Sequence, residues 1–324
     1  MHLTYRPASV GDVALCADLL PEGFVADPGA IRDMLDVWRT WLREERMALT
    51  MVENSALKGN RIVAFGSSVF VTDDYIQEAA AFCEPPIAVD IARRSTSRKP
   101  LVLDYQAVSK ANGCGGLNLL IPVVGWSRSK LNPEAVPFVK AKLVEAFEAR
   151  FGGYLLKAML QEIYSEAEMR RGLAIGLLLK SDYAWHYQKT GALPVPERRP
   201  YLLGISREEV QEGSLISRSF LYTPPRFYFK RGERDLLTLA NLDQTDEEAA
   251  QALCISLSTV QKRWRSIYDR VSSVEPDLLP GVNLPGPNGQ RTGSEKKRLL
   301  LRYLKHHPEE FRPASPPDTS GTQA

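Results

Sequence analysis

The chain has 324 residues, of which 44% are hydrophobic and 25% charged, and its formal net charge is +2. That balance belongs to a folded globular protein with length for roughly two domains, and it excludes a chain that is basic throughout and binds polyanions with its whole surface. No apolar run approaches the roughly 18 residues of a membrane-spanning helix, and the N-terminus lacks the basic-then-apolar pattern of a secretory signal. The cysteines, Cys16, Cys83, Cys114 and Cys254, show no paired spacing. Neither a disulfide framework nor a zinc site is expected, and a reducing cytoplasm is the expected compartment, with no membrane association.

In chain order, LTYRPA reads as a strand. A helix over residues 9–20 follows, with Ser9 as N-cap and Asp12 at the capping-box position. Residues 30–45 place Ile31, Met34, Leu35, Trp38, Trp41 and Leu42 at spacings of three and four, the pattern of an amphipathic helix. MALTMVEN and RIVAFGSSVFVTD read as two strands parted by the turn-like LKGN. Residues 100–126 read as β-rich on both sides of the glycine cluster NGCGG. A helix is expected from Asn132, its N-cap, with Pro133 at the first position and Gly152 as the stop. Residues 154–164 read as a strand, the glycine-containing run 166–183 as a helix, and RRPYLLGIS as a last strand.

Near Tyr222 the texture changes to helical segments and a Pro/Gly-rich loop. ERDLLTLA is helical. Thr245 and Glu248 form a capping box for a second helix that buries Ala249, Ala250 and Leu253. The turn CISLS follows, with Ser256 or Ser258 capping the next helix. On that helix Val260, Trp264, Ile267 and Val271 share one face, and Lys262 and Arg265 share the other. This is the layout of a helix-turn-helix unit, whose polar, cationic second helix suits a DNA groove. Residues 294–307 form a Leu-rich terminal helix, and the tail from Arg312 is expected to be disordered.

The pattern GERDLLTLA, TDEEAAQALCIS, STVQKRWRSIYDRV resembles the C-terminal domain of LuxR-type transcription regulators. That resemblance implies DNA contacts from Gln261, Lys262, Arg263 and Arg265, with Ser258 and Thr259 near the phosphates. It covers about 45 residues and departs from the family pattern at NLDQ and Cys254, where glycine is usual. Region four of sigma factors shares the helix pattern. The N-terminal element order resembles the GNAT acetyltransferase fold. In that superfamily a Q/R-x-x-G-x-G/A loop holds the pyrophosphate of acetyl-CoA at the start of a helix. The nearest match is KANGCG, with Lys110, Gly113 and Gly115. The residues after it read as a strand, so NGCGG reads more simply as a turn between strands.

The expected architecture is therefore an α/β (α+β) domain, GNAT-like and degenerate, over residues 1–219, an all-helical reader over 221–313, and a tail over 314–324. The expected function is a DNA-binding transcription regulator that binds double-stranded DNA as a homodimer, whose N-terminal domain senses a ligand or mediates dimerisation, and that contacts RNA polymerase and needs no cofactor. The rival readings are an acetyl-CoA-dependent N-acyltransferase using Lys110, Gly113 and Gly115, and a protein-interaction module whose basic helix meets an acidic surface. His186 reads as packing among aromatics. Glu162, Glu166 and Glu168 lie close in sequence without a partner to single one out.

Overall fold

A computed structural model describes residues 2–95, 100–191, 193–279 and 292–315. The N-terminal part is built on one eight-stranded mixed sheet: β1 (Leu3–Pro7), β2 (Met47–Asn54), β3 (Ile62–Val71), β4 (Leu117–Ile121), β5 (Val124–Trp126), β6 (Leu156–Ile163), β7 (Leu178–Ser181) and β8 (Tyr201–Ser206). The strand order is β1-β2-β3-β4-β6-β8-β7, with β5 paired to β3 beyond the end of β4. All pairs are antiparallel except β4 with β6, which run parallel.

Strand alternation sends successive side chains to opposite faces. Phe65 and Leu120 go to one face, under a 3₁₀ segment Val10–Leu19, α1 (Pro28–Arg43), α2 (Asp73–Phe82) and α3 (Ile87–Ser95). Leu117, Leu119 and Ile121 go to the other, under α4 (Tyr105–Gly113) and α5 (Val136–Phe151). The six apolar residues expected to line α1 all pack into the first face's core, and Trp38 is fully buried there against Phe65.

Four local expectations change. Residues 10–19 wind as a 3₁₀ helix, although the capping box forms, with the Ser9 N–H donating to Asp12 Oδ2 at 2.7 Å. Asn132 caps the turn before α5 by accepting from the Ala135 N–H at 2.9 Å, and the helix begins at Val136. The run 166–183 divides into α6 (Glu166–Ala174) and β7, because Gly176 adopts φ +107° and turns the chain onto the sheet edge. Helices α2 and α3 occupy residues 73–95, where no helix is expected above.

After β8 come α7's successors in the helical part; α7 itself is the short Ala184–Thr190. The helical part holds α8 (Arg231–Asn241), α9 (Asp246–Ala252), α10 (Leu257–Val274) and α11 (Thr292–Leu304). It has its own core, in which Val260, Trp264, Ile267 and Val271 of α10 are buried with Phe227, Phe229, Leu236, Leu237 and Leu300. Part of the tail expected to be disordered is packed: Arg312 and Ala314 are each 8% exposed, and the Ser315 N–H donates to the Ser109 carbonyl at 3.0 Å. Residues 316–324 of that tail lie outside the described residues.

Candidate functional site

The sheet opens at Pro122. Before it, β4 and β6 run side by side from Leu117 to Ile121. Proline brings no N–H to continue that ladder, and the next residues swing onto β3. The Val123 carbonyl accepts from the Ser67 N–H at 3.1 Å, the Val123 N–H donates to Ser67 Oγ at 3.2 Å, and the Ser127 N–H donates to the Val63 carbonyl at 2.8 Å. In an antiparallel ladder alternate residues bond to the neighbour and the others point away. Val124 and Trp126 therefore turn their N–H and C=O groups from β3 toward β6. Across the opening, β6 runs on through Glu162 and Ile163, paired on its far side with Leu202 and Tyr201 of β8. Two strand edges face each other, each paired on its outer side alone.

The opening has a lining on both faces. On the α1 face, Leu19 and Phe65 lie so close to Gly125 that an added Cβ would meet the Leu19 carbonyl at 2.2 Å and the Phe65 ring at 2.6 Å. Phe24 packs on Tyr164 with ring centroids 5.7 Å apart. Glu22 pairs with Arg128 and, at 3.1 Å, with Arg198. On the α5 face, Lys140 pairs with Glu168 of α6 and holds its ammonium 4.5 Å over the Trp126 ring. A groove of about 480 Å³ lies at the start of α5, lined by Asn54, Lys130, Asn132 and Phe138. Its Lys130 ammonium is engaged by the Asn60 and Ile62 carbonyls at 3.1 and 3.0 Å.

A buried carboxyl stands on the β6 wall of the opening. Glu162 is 1% exposed and accepts from three different elements. Oε1 takes the Tyr183 hydroxyl at 2.7 Å, and Oε2 takes the Tyr164 hydroxyl and the Ile87 N–H, the latter at 2.9 Å. Burial pushes its carboxyl up to about 7, against the pull of those three donors, and nearby Asp90 adds to the rise. Burial likewise raises the phenols of Tyr164 and Tyr183 and pushes the Cys83 thiol, 3.5 Å from the Tyr183 hydroxyl, up to about 12. Of the three carboxylates close in sequence, only Glu162 gathers such partners, and two of them, Ile87 and Tyr183, are distant in sequence. Glu166 and Glu168 form surface pairs with Arg170 and Lys140.

The residues expected to hold a pyrophosphate lie elsewhere. Lys110 and Gly113 are in the last turn of α4, and Gly115 follows in the turn into β4. This is the carbonyl end of a helix, where the dipole disfavours an anion, and the cluster is a helix-to-strand turn, not the strand-to-strand turn the sequence favoured. Gly113 lies under the C-terminal segment: an added Cβ would meet the Ser315 carbonyl at 2.4 Å. The chain's actual strand-to-helix loop before α5, SRSKLNPEA, contains no glycine.

The residues expected to touch DNA lie on α10. Gln261, Lys262 and Arg265 are exposed, as is Ser258. Thr259 hydrogen-bonds back to Ser256, the N-cap, with 2.9 Å between hydroxyls. Arg263 is half-buried and donates to the Gly232 carbonyl at 3.1 Å, so it buttresses α8. His186 packs between Trp185 and Tyr187, as expected. Among the described residues no cluster of His, Cys, Asp and Glu is arranged to hold a metal, and no helix is long and apolar enough to cross a membrane.

No family model and no curated protein matches the chain. Solved structures do. The C-terminal condensation domain of Ebony, in complex with beta-alanyl-dopamine, aligns at 12% identity over 64% of this chain and 99% of its own, with TM-score 0.38. A spermidine/spermine N-acetyltransferase from Vibrio cholerae aligns at 9% identity over 67% of this chain and 99% of its own, with TM-score 0.36. NAA60 of Arabidopsis thaliana, in complex with acetyl-CoA, aligns at 9% identity over 64% of this chain and 99% of its own, with TM-score 0.37. These comparisons correct the expected function. The matching structures named are not transcription regulators, and acetyltransferases stand among them, so the expected transcription regulator is not supported. Nor is the expectation of no cofactor supported: one of these structures is in complex with acetyl-CoA. At these TM-scores the alignments carry no argument about activity, which must rest on the geometry of the opening.

Proposed function

We propose that the sheet domain is an N-acyltransferase that takes the pantetheine arm of an acyl-CoA between β5 and β6. The observation that carries this reading is the pair of one-sided strand edges, Val124–Trp126 and Glu162–Ile163. An extended chain carrying amides is the ligand that such edges accept, because it adds hydrogen bonds in the manner of an extra strand. The arm of coenzyme A has that chemistry, and when bound the cofactor supplies an activated acyl thioester.

The residues fit the arm better than the phosphates. Loop 127–135 carries the cations Arg128, paired with Glu22, and Lys130, held by the Asn60 and Ile62 carbonyls, but no glycine to let a backbone approach a pyrophosphate. Phosphate binding by side-chain cations would replace the cradle of N–H groups that the GNAT pattern implies. Glu162 is the buried carboxyl on the β6 wall. With both oxygens held by Tyr183, Tyr164 and Ile87 and 1% of its surface exposed, it positions the β6 wall and does not itself meet the acceptor amine.

Equilibrium binding of acetyl-CoA to the full chain tests this. Saturable binding that Val124→Pro weakens, by removing the N–H facing the opening, and that Lys110→Ala leaves unchanged, supports it. An absence of binding at millimolar cofactor overturns it.

A further inference from the structure

Strand β7 closes one side of the sheet. Among the described residues it pairs with β8 alone, so its outer edge has no strand beside it. Such an edge is a template for another chain, and soluble proteins usually blunt it with charge, proline or a covering element. Here the edge is apolar: Leu178 and Leu179 are 40% and 45% exposed. Paired residues of neighbouring strands share a face, and successive residues alternate. Leu179 pairs with Leu203 and so lies on the face that Leu203 and Met169 of α6 share. Leu178 pairs with Gly204 and lies on the α2 face.

The apolar surface continues on both sides of the strand. At the end of α6, Leu173 and Ile175 are exposed, and Leu215 beside them is 68% exposed; the Ile216 N–H donates to the Ile175 carbonyl at 3.1 Å and seats that segment against the turn into β7. On the α2 face Phe82 is 74% exposed, and its neighbour Cys83 lies 3.5 Å from the hydroxyl of Tyr183, two residues past β7. These six side chains present roughly 600 Å² of apolar surface, the size of patch that marks an interaction site. With the strand edge between them they approach the roughly 800 Å² per partner of a stable dimer. Charge at the rim closes within the chain. Glu166 pairs with Arg170, Glu168 with Arg171 at 2.9 Å, and Lys180 with both oxygens of Glu209 at 2.7 and 2.9 Å. The patch therefore has no excess charge to select a partner of one sign, and none to repel a copy of itself. The helical part meets the sheet domain elsewhere: the Tyr222 hydroxyl donates to the Asn112 carbonyl at 3.1 Å, and Arg312 Nε donates to the Gly152 carbonyl at 2.8 Å.

We infer that two copies of this chain pair antiparallel along β7, about a two-fold axis perpendicular to the sheet, and so join their sheets edge to edge. Such an axis keeps each face of the sheet continuous across the interface. A register centred on Leu178 sets that side chain against its own copy on the α2 face, and Leu179 against Leu177 on the α6 face. The contact is isologous: it uses the same patch on both copies, closes at two, and leaves no free β7 edge. The inference does not depend on the acyltransferase reading, since β7 lies two strands away from the opening beside β6.

The test is sedimentation velocity of the full chain across a concentration series, read beside backbone amide exchange at low and high concentration. The expected result is a species of twice the chain's mass that dissociates on dilution, with amides at residues 178–181 exchanging about tenfold more slowly in the dimer. Leu179→Lys should weaken association by about tenfold or more and leave the denaturation midpoint of the monomer in place, because that side chain is already exposed. If Leu179→Lys fails to fold, Leu215→Lys, at the rim of the patch, is read in the same way. A chain that stays monomeric at high micromolar concentration overturns the inference and assigns the edge to a different protein. So does a dimer that the substitution leaves intact, or an assembly that grows past two copies, which an isologous contact does not permit.

Discussion

Glu162 on β6 accepts the hydroxyl of Tyr183, a residue in left-handed backbone conformation at φ 55°, across 2.7 Å of fully buried space. The bond ties the wall of the opening to the start of α7, and a second bond from Ile87 ties it to the start of α3. A carboxylate so placed is held by geometry and penalised by burial at once.

That conflict has a pH signature. The carboxyl is raised in the folded protein from 4.5 to about 7, so Glu162 favours folding most below its unfolded value. Its contribution is lost as pH rises through about 7. Urea unfolding of the Glu162→Gln variant and the parent chain, compared from pH 5 to pH 8, should show the difference moving in favour of Gln with rising pH, by a total on the order of 2–3 kcal/mol. A difference that stays constant over this range would mean that Glu162 keeps an ordinary carboxyl.

Asp12 carries the opposite sign. The Arg6 guanidinium, at 2.8 and 3.0 Å, and the Ser9 N–H and hydroxyl hold its carboxyl far below the usual carboxylate range. Its stabilisation is present above pH 4 and is lost in acid. Asp12→Asn should cost about 1 kcal/mol at pH 7, reduced by the exposure of Arg6, and measurably less near pH 2, where the loss is under way. An equal cost at both pH values would assign the effect to the shape of the cap.

Gly125 and Gly115 should respond differently to alanine. At Gly125 the new methyl meets the Leu19 backbone and the Phe65 ring, which have no room to move without shifting the 3₁₀ segment. Gly115 faces open space and suffers only from its φ of +91°. Chemical denaturation should therefore show a loss of roughly 2–3 kcal/mol for Gly125→Ala and about 1 kcal/mol for Gly115→Ala. The reverse order would mean that the Leu19 segment is not seated against β5.

Trp38 anchors the α1 face. It is 0% exposed and stands edge-on to Phe65 at 6.2 Å. Trp38→Ala should cost about 3–5 kcal/mol, measured by the denaturation midpoint. A cost below about 1 kcal/mol would show that the sheet does not depend on α1.

Local signals in the sequence were legible, and long-range ones were not. Ser9 with Asp12 and Thr245 with Glu248 are capping boxes read from four residues each, and both form. The buried face of α10 follows from spacing alone. The glycine cluster misled because positive φ at Gly115 and Gly116 serves a helix end as readily as a strand turn or a phosphate loop. What distinguishes these uses is the helix before it, whose N-cap, Asp104 accepting from the Ala107 N–H at 2.9 Å, went unread. Pro122 within an apolar run was the visible trace of the opening. Its meaning depended on β6, more than thirty residues on, which no local pattern supplies. For Glu162 the sequence shows nearby Tyr164, two residues on, but its other donors, Ile87 and Tyr183, lie 75 and 21 residues away. On the basic face of α10, Arg263 is spent on Gly232, while Gln261, Lys262 and Arg265 stay exposed.

The most direct test of the proposed function is amide exchange of the full chain with and without acetyl-CoA, resolved at Val124 and Trp126. If the pantetheine arm pairs with the β5 edge, these two amides slow on addition of the cofactor, while Lys110 and Gly113 at the end of α4 are unaffected. Protection at the α4 end with Val124 and Trp126 unchanged, or no protection anywhere, would contradict the account.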